Sequence, residues 1–481
     1  MEDHIQNIKQ LLKRNKFPEV DSMFELPSSG SGRIYFRIFF EDTSQPSLLV
    51  SFNGNVSENI AQYSFTQHFL SKGFRVPEII ARDESYRYFL LEDLGNENLF
   101  QLVQEGVSEQ VIGIYKQVLQ DLFQFQIIGF DGLDLDVAYP VKMFSKRAVL
   151  WDLNYFKYYF VKPHNIDFDE NKLEDDFQTF ADYLLQAEMN FFNYRDFQSR
   201  NIMLKDGTPW YIDFQGGRQG PLQYDLVSLL YQAKANLPED VKEQLLEFYL
   251  LNLEEILPGK KEDFLCYYNE YILFRTMQVL GAYGFRGKIE GKAHFLQSIP
   301  FALQSLRQLL ENKTLHIEIP ELLQILQKVA GISEYKKYEL PTDKLTVNIS
   351  SFSYKKKGIP PDPTENGGGF VFDCRALPNP HRDKALRDFN GTEKPIIEFL
   401  KNKPEMQDFL SHAFLLVDQS TNRYLQRDFN HLQISFGCTG GKHRSVFSAE
   451  QMANHLKSKY GDRIEIRLEH RQINVEGGSH R

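Results

Sequence analysis

The sequence predicts an α+β chain: a small strand-built lobe, then a large helical lobe interrupted by a hairpin with two aspartates, then a smaller α/β domain. Three observations predict it. Short β-prone runs, RIYFRIFF and SLLVSF, follow a small polar loop near the start. Helical periodicity fills about 100–190 and about 225–330, on either side of the β-prone island NFFNYRDFQSRNIMLKDGTPWYIDFQGG. Strand-like runs return after residue 345.

In order along the chain, residues 17–52 read as strand, loop, strand, with LPSSGSG supplying a glycine-containing turn. SENIAQYSFTQHFLSKGF has helical spacing with Gly near its end, and YFLLEDLG is an apolar run that stops in an acidic, Gly-terminated turn. VSEQVIGIYKQVLQDLFQFQ is the clearest amphipathic helix, IPELLQILQKVAG closes the helical part, and EYKKYELPTDK is a charged connector. Beyond it, TVNISSFSYKKKGIP, GGFVFDCRAL and LQISFGCTGG read as strands, while KPIIEFLKN and SVFSAEQMANHLKSKY read as helices. PPDPTENGGG is expected to be a flexible loop. The expected limits are 1–335 for the two-lobed domain (small lobe about 1–95, helical lobe about 96–335), 336–344 for a linker, 345–475 for the α/β domain and 476–481 for a frayed tail.

Composition narrows the function classes. A chain of 481 residues that is 42% hydrophobic and 25% charged, with 40 Phe and 24 Tyr, excludes disorder, collagen-like repeats and a coiled-coil rod. Cys266, Cys374 and Cys438 are far apart with no CxxC pair, which supports neither a disulfide framework nor a zinc site. No stretch reaches the ~18 apolar residues of a membrane span, so a cytoplasmic, soluble protein without a membrane partner is expected. The net charge of −10 hides an asymmetry. Residues 341–481 hold 21 Lys and Arg against 17 Asp and Glu, hence +4, and the remaining 34 against 48 give −14.

The island carries the first chemistry. In Tyr194-Arg195-Asp196-Phe197-Gln198-Ser199-Arg200-Asn201 an Asp precedes an Asn by five positions, and Ile212-Asp213-Phe214-Gln215 follows at a strand end. Phosphoryl transfer needs one carboxylate to accept the proton of the attacking hydroxyl, and an amide oxygen with a second carboxylate to hold magnesium. Taken singly, Asp196 and Asp213 are equally well turn residues. The joint pattern, with an upstream Gly/Ser loop and the hinge-like LLEDLG, favours a kinase and a protein-kinase-like bilobal fold.

RDFQSRN, YIDFQ and GPLQYDLVSLL resemble the catalytic loop, metal loop and following helix of the aminoglycoside phosphotransferase-like kinases over roughly the first 330 residues. GSGRIYFR, VPEIIARD, LLEDLG, IDFQGGRQGPLQYDLVSLL and RTMQVLGAYG are more similar to the kinases that phosphorylate the anomeric hydroxyl of N-acetylmuramate and N-acetylglucosamine in cell-wall recycling. The resemblance implies ATP and Mg2+ as cofactors, Asp196 as general base, Asn201 and Asp213 as metal ligands, and Asp225 as a buried buttress. It also implies a loop through Ser29, Gly30, Ser31 and Gly32 over the triphosphate, and adenine contacts from the backbone of Glu92 to Leu94. The chain departs from the kinase pattern where LLVSFN offers no strand lysine; Arg33 or Arg37 is the expected substitute, against the plainer alternative of surface solubility. Tyr194 stands before Arg195, and Gln198 occupies a position where relatives often have His. The aromatics of LWDLNYFKYYF and AYGFRG lean towards a neutral or anionic sugar acceptor, although helical core would explain most of them equally well.

The second chemistry lies in LQISFG-CTGGKHRS-VFSAEQMANHL: a strand, a glycine-containing loop with Lys442, His443 and Arg444, and a helix. This is an anion site in outline. Cys438 and Arg444 also match the C-x5-R-S loop of cysteine phosphatases. SFSYKKKGIP, VFDCRALPNPH, LRDFNGTEKPIIEFL and GCTGGKHRS together resemble the C-terminal domain of RapZ-type RNase adaptor proteins. That resemblance implies an amino-sugar phosphate pocket at Asn379, His381, Thr439, Gly440, Gly441, His443 and Arg444, self-association, and an RNA or RNase partner. The RNA expectation is the weaker, since the family's lysine-rich end is reduced here to GGSHR. Two other readings stay open: a regulatory nucleotide-binding or RNA-adaptor protein with a non-catalytic kinase lobe, and an aminoglycoside phosphotransferase.

Overall fold

The computed structural model describes residues 2–26, 32–333, 335, 345–356, 358–361, 369–426 and 431–473. Ser29, Gly30 and Ser31 of the expected phosphate loop, the linker 336–344, most of PPDPTENGGG and the tail 476–481 lie outside the described residues. The chain divides into two compact units. One holds Met1–Phe285 and Phe301–Ile332, and the other holds Arg286–Pro300 and Ser333–Arg481.

The first unit begins with a helix the sequence reading had left without structure, α1 (Glu2–Arg14). Its Ile8, Leu11 and Leu12 fall on one face and pack on the first sheet against Phe36, Ile38, Phe40, Val50 and Leu90. That sheet contains β1 (Val20–Glu25), β2 (Ile34–Phe40), β3 (Leu48–Phe52), β4 (Ile79–Arg82) and β5 (Tyr88–Glu92). It is antiparallel, in the order β1-β2-β3-β5-β4. Between β3 and β4 runs α2 (Val56–Ser71), whose N-cap Asn55 accepts from the Glu58 N–H at 3.3 Å and so fixes Glu58 in the first turn.

The helical part contains α3 (Leu99–Glu105), α4 (Glu109–Ile127), α5 (Lys146–Phe156) and α6 (Glu170–Leu184), and after the island α7 (Leu222–Leu230), α8 (Glu239–Ile256) and α9 (Lys261–Tyr283). The four-residue α10 (Ala293–Leu296) falls in the Arg286–Pro300 stretch of the other unit, and α11 (Ile299–Asn312) and α12 (Pro320–Ala330) follow. The island forms two small antiparallel pairs. β6 (Phe191–Asn193) pairs with β9 (Arg218–Gly220), and β7 (Ile202–Lys205) forms a hairpin with β8 (Thr208–Tyr211). Strand propensity thus sets the island apart from the helices around it, as the sequence predicts.

The second unit contains a four-stranded parallel sheet in the order β11-β12-β10-β13. Its strands are β10 (Leu345–Ser353), β11 (Phe370–Asp373), β12 (His431–Cys438) and β13 (Ile464–His470), and its helices are α13 (Lys394–Lys401), α14 (Pro404–Gln426) and α15 (Arg444–Tyr460). Val347, Ile349, Ile434 and Phe436 meet Met452 and Leu456 of α15 in one core. All eight residues of β12 are buried, as a central parallel strand requires. The long α14 and the edge strand β13 went unread in the sequence.

In the first unit α5 and α9 pack closely. A Cβ on Gly281 would lie 3.0 Å from both the Phe156 Cα and N, so only glycine lets these backbones approach. Gly281→Val is expected to cost about 1–3 kcal/mol by overpacking, read as a lower urea midpoint with an unchanged slope.

Candidate functional site

Four segments converge on Asp196. The loop after β6 turns sharply, Arg195 adopting φ +79°, a left-handed conformation unusual for a side-chain-bearing residue. Asp225 at the start of α7 holds that turn. Its Oδ2 accepts from the Tyr194 N–H at 2.6 Å and its Oδ1 from the Arg195 N–H at 2.8 Å. Asp225 is fully buried, and burial pushes its carboxyl up to about 7 against the pull of those two amides. The Tyr194 hydroxyl reaches forward to the Ile212 carbonyl at 2.7 Å and ties the loop to the strand end that presents Asp213.

Asn201 joins the two aspartates. Its Nδ2 donates to the Asp196 carbonyl at 2.9 Å and to Asp213 Oδ2 at 3.2 Å. Asp213 is also left-handed, at φ +70°. Water reaches it, yet the surrounding protein and the Asp196 charge push its carboxyl above the ordinary range, while Gln215 and Arg33 pull it down. Two acids whose charges oppose one another, beside an amide oxygen, suit a hard divalent cation. Mg2+ takes one or two protein carboxylates and completes its shell with phosphate oxygens and water. Among the described residues no group of three His, Cys, Asp or Glu offers a denser alternative.

The structure separates the two candidate arginines. Arg33, immediately before β2, is 3% exposed. Its Nη2 pairs with Glu58 Oε1 at 2.8 Å and lies 3.3 Å from Asn59 Oδ1, and its Nη1 bonds Gln62. Gln215 Nε2 links that cluster to the metal side, at 2.7 Å from Asp213 Oδ1 and 3.5 Å from Glu58 Oε1. Arg37 instead braces the hinge, with Nε 2.7 Å from Asp93 Oδ2, Nη1 2.6 Å from Asn96 Oδ1 and Nη2 3.0 Å from the Gly95 carbonyl. Glu92 ends β5, its N–H donating to the Glu78 carbonyl at 3.0 Å and its side chain paired with Lys205 at 2.5 Å. Leu94 is buried two residues on. Gly32 has open space where a Cβ would stand.

In the second unit, Cys438 closes β12 and Arg444 opens α15. Thr439 and Gly440 are exposed between them. Gly441 has φ +68°, and a Cβ there would strike the Gln472 side chain, so the turn requires glycine. Asn379 caps the short turn at His381, accepting from its N–H at 3.3 Å, and the His381 and His443 rings stand 5.9 Å apart. His443 is 7% exposed, its Nε2 has no partner, and burial lowers its pKa. Lys442 donates to the carbonyls of Arg387 and Asp388 at 3.1 and 2.7 Å. Arg444 differs from the expectation of a free phosphate ligand: its Nη1 donates to the carbonyls of Arg375 and Leu377 at 2.7 and 3.0 Å. Burial raises the Cys438 thiol, but the Ser445 hydroxyl at 3.1 Å, the Ser445 and Gly441 amides and Arg444 outweigh it and lower the pKa. Cys438 is 3% exposed, and one guanidinium nitrogen of Arg444 is taken by carbonyls.

The chain therefore joins a kinase-like α+β domain to a parallel α/β domain. Residues 37–259 match the phosphotransferase enzyme family, and residues 345–474 match the RapZ C-terminal domain. A nucleotide-binding protein of Glaesserella parasuis is 42% identical over 123 residues, which are 26% of this chain and 41% of that protein. The RNase adapter protein RapZ of Hamiltonella defensa is 39% identical over 124 residues, 26% of this chain and 41% of its own. The chain thus spans about two fifths of the length of these curated relatives. Among solved structures, aminoglycoside phosphotransferase APH(2'')-Ib with ADP bound is 15% identical at a TM-score of 0.39, covering 63% of this chain and 97% of that one. Choline kinase LicA from Streptococcus pneumoniae is 11% identical at 0.44, covering 64% and 99%.

Sequence reasoning missed the Arg33–Glu58–Gln215 linkage, because its members lie on three separate segments; the only signal was the absent strand lysine. Asp225→Ala is expected to strand the amides of Tyr194 and Arg195. At about 1–3 kcal/mol per buried unsatisfied group, urea denaturation should read a loss several times that of a typical surface substitution.

Proposed function

We propose that residues 1–335 form a magnesium- and ATP-dependent kinase for an amino sugar of the N-acetylmuramate or N-acetylglucosamine type, in cell-wall recycling in the cytoplasm. In the same reading residues 345–475 form a domain that binds a phosphorylated amino sugar. The observation that carries the kinase reading is the closed set Asp196–Asn201–Asp213, tied together by the Asn201 amide and held from behind by Asp225. No helix among the described residues is long and apolar enough to cross a membrane.

In this mechanism Asp196 accepts the proton of an acceptor hydroxyl, whose oxygen attacks the γ-phosphorus in line as ADP leaves. Mg2+, when bound at Asp213 and the Asn201 amide oxygen, supplies charge neutralisation of the triphosphate. Arg33 takes the place of the absent lysine. A kinase couples its phosphate-binding lysine to a helix glutamate, and here the buried guanidinium meets Glu58 of α2 from the neighbouring strand. Gly32, with Ser29 to Ser31, covers the phosphates, and the backbone of Glu92 and Leu94 holds the adenine. Arg37 acts on the nucleotide only through the hinge it braces.

In the second domain the exposed Thr439 and Gly440, ahead of α15, present backbone N–H groups to phosphate, and Gly441, whose own amide goes to Cys438, supplies the turn. Asn379, His381, His443 and Arg444 flank them. The unpartnered Nε2 of His443 supports a polar ligand there. Self-association and an RNA or RNase partner belong to this domain by likeness to the RapZ C-terminal domain, and are proposed on that ground alone.

Asp196→Asn is expected to keep ATP binding by calorimetry while turnover falls roughly 10²–10⁴-fold; near-wild-type turnover would remove Asp196 as base and favour the regulatory reading. Arg33→Met is expected to raise the KM for ATP about tenfold, the effect of ~1.4 kcal/mol, whereas Arg37→Met should act first on the unfolding midpoint. His443→Ala should weaken binding of glucosamine 6-phosphate by a similar factor, and unchanged affinity would displace the ligand from this loop.

A further inference from the structure

Three guanidinium groups that the mechanism above does not use lie within electrostatic reach of one another around the loop that carries Asp196. Arg195 belongs to the catalytic loop, Arg218 to β9 and Arg275 to α9. Arg218 and Arg275 are 3% and 8% exposed. Arg218 Nε lies 3.3 Å from Asn193 Oδ1 with its guanidinium over the Phe144 ring. Arg275 Nη1 reaches the Tyr224 hydroxyl at 3.4 Å and bonds Gln278. Arg195 folds over Gly216, where an added Cβ would stand 3.3 Å from its Nη1.

Among the described residues none of the three has a carboxylate oxygen within 4.0 Å. Their fields reach one another and reach Asp152 and Asp196 at longer range. Asp225, whose two oxygens are taken by backbone amides, also acts on Arg218 at longer range. Buried charges are normally paired at close range. Three guanidinium groups with no carboxylate in contact, among acids of which one must act as a base and another is held by amides, leave the cluster open to an acidic partner.

The neighbouring surface is suited to a ring. Tyr155, Tyr159 and Phe285 form a half-buried aromatic group with centroids 4.5 to 5.8 Å apart. Tyr155 is on α5, and Tyr159 and Phe285 lie in the π-helical stretches Lys157–Val161 and Gly284–Ile289 into which α5 and α9 run on, an interruption that recurs at functional sites. Asp152, one turn of α5 before Tyr155, accepts from Gln278 Nε2 at 2.8 Å and feels the charges of all three arginines.

We propose that this cluster is the acceptor pocket and that Arg275, with Arg195, is its specificity determinant, binding an acidic group on the acceptor. The inference rests on the kinase reading and adds the acceptor's charge. The acceptor is a sugar bearing a carboxylate: the planar guanidinium forks match a carboxylate bidentately, the aromatic rings carry the apolar face of the sugar ring, and Asp152 accepts a ring hydroxyl. A polycationic acceptor is repelled by the same charges.

The experiment compares N-acetylmuramate, N-acetylglucosamine and kanamycin as acceptors for the full chain with Mg-ATP, in the wild type, Arg275→Gln and Arg275→Lys. The expected result is at least a tenfold preference in kcat/KM for the carboxylated sugar. Arg275→Gln should erase most of it through KM, and Arg275→Lys should restore part. Gln278→Glu, which places a competing carboxylate against Arg275, should reproduce the loss if Arg275→Gln does not fold. Equal use of the two sugars with equal losses in the variants, or preference for kanamycin, would overturn the inference while leaving the kinase reading in place. If no acceptor is phosphorylated, the kinase reading fails, and calorimetric binding of N-acetylmuramate decides the pocket. Arg275-dependent binding supports it, and no binding overturns it.

Discussion

The arrangement around Asp196 depends on one buried carboxylate. Asp225 receives two consecutive backbone amides, Tyr194 and Arg195, and so holds a left-handed residue in the catalytic loop. Released, Arg195 would relax towards ordinary backbone geometry, since left-handed conformations of residues other than glycine cost of order 1 kcal/mol or more. Asp196, the next residue, would turn with it. The Asn201 amide would lose the carbonyl that orients it towards Asp213. Even Arg195, a candidate ligand for the acceptor, owes its direction to this contact. The proposed base, metal ligands and acceptor contact therefore share one mechanical origin in the first turn of α7.

On the proposed nucleotide side, Arg33 stands where it could replace a missing lysine. β3 has no lysine, but β2 runs beside it, and Arg33 at the edge of β2 reaches Glu58 on α2 from there. An arginine held by a half-buried glutamate, a glutamine and an asparagine is more rigid than a lysine and cannot lose its charge. Gln215 carries the linkage across to Asp213, so the buried guanidinium and the proposed metal carboxylate are coupled through one side chain. Arg37, two turns of the pleat further along, is consumed by the hinge. The same residue type two strand repeats apart serves two different purposes.

What was legible in the sequence follows from the range over which each signal acts. RDFQSRN and IDFQ could be read because their chemistry is set by spacing within a single loop and hairpin, and the parallel domain because CTGGKHRS sits between a strand and a helix in linear order. α1 was missed because its apolar residues are few, and they bury only after the sheet forms. α14 and β13 were missed because exposed leucines and alternating charge blurred their periods, Leu415 standing 69% exposed on α14. Arg33–Glu58, and the meeting of Arg195, Arg218 and Arg275, could not be read at all: tertiary packing assembles them from segments that carry no mark of one another. Arg444 was read as a phosphate ligand from its motif, yet carbonyls at the end of β11 compete for it.

A kinase for an amino sugar, joined to a domain that binds a phosphorylated amino sugar, would place an enzyme and a sensor of related chemistry on one chain; the +4 of residues 341–481 suits the second ligand's phosphate and is hidden by a total of −10. The most direct measurement is phosphorus NMR of the full chain incubated with ATP, magnesium and a set of amino sugars that includes N-acetylmuramate. The account predicts a new sugar phosphate monoester signal that grows as ADP appears. ATP that stays intact with every sugar, in a protein shown to bind it, would contradict the account.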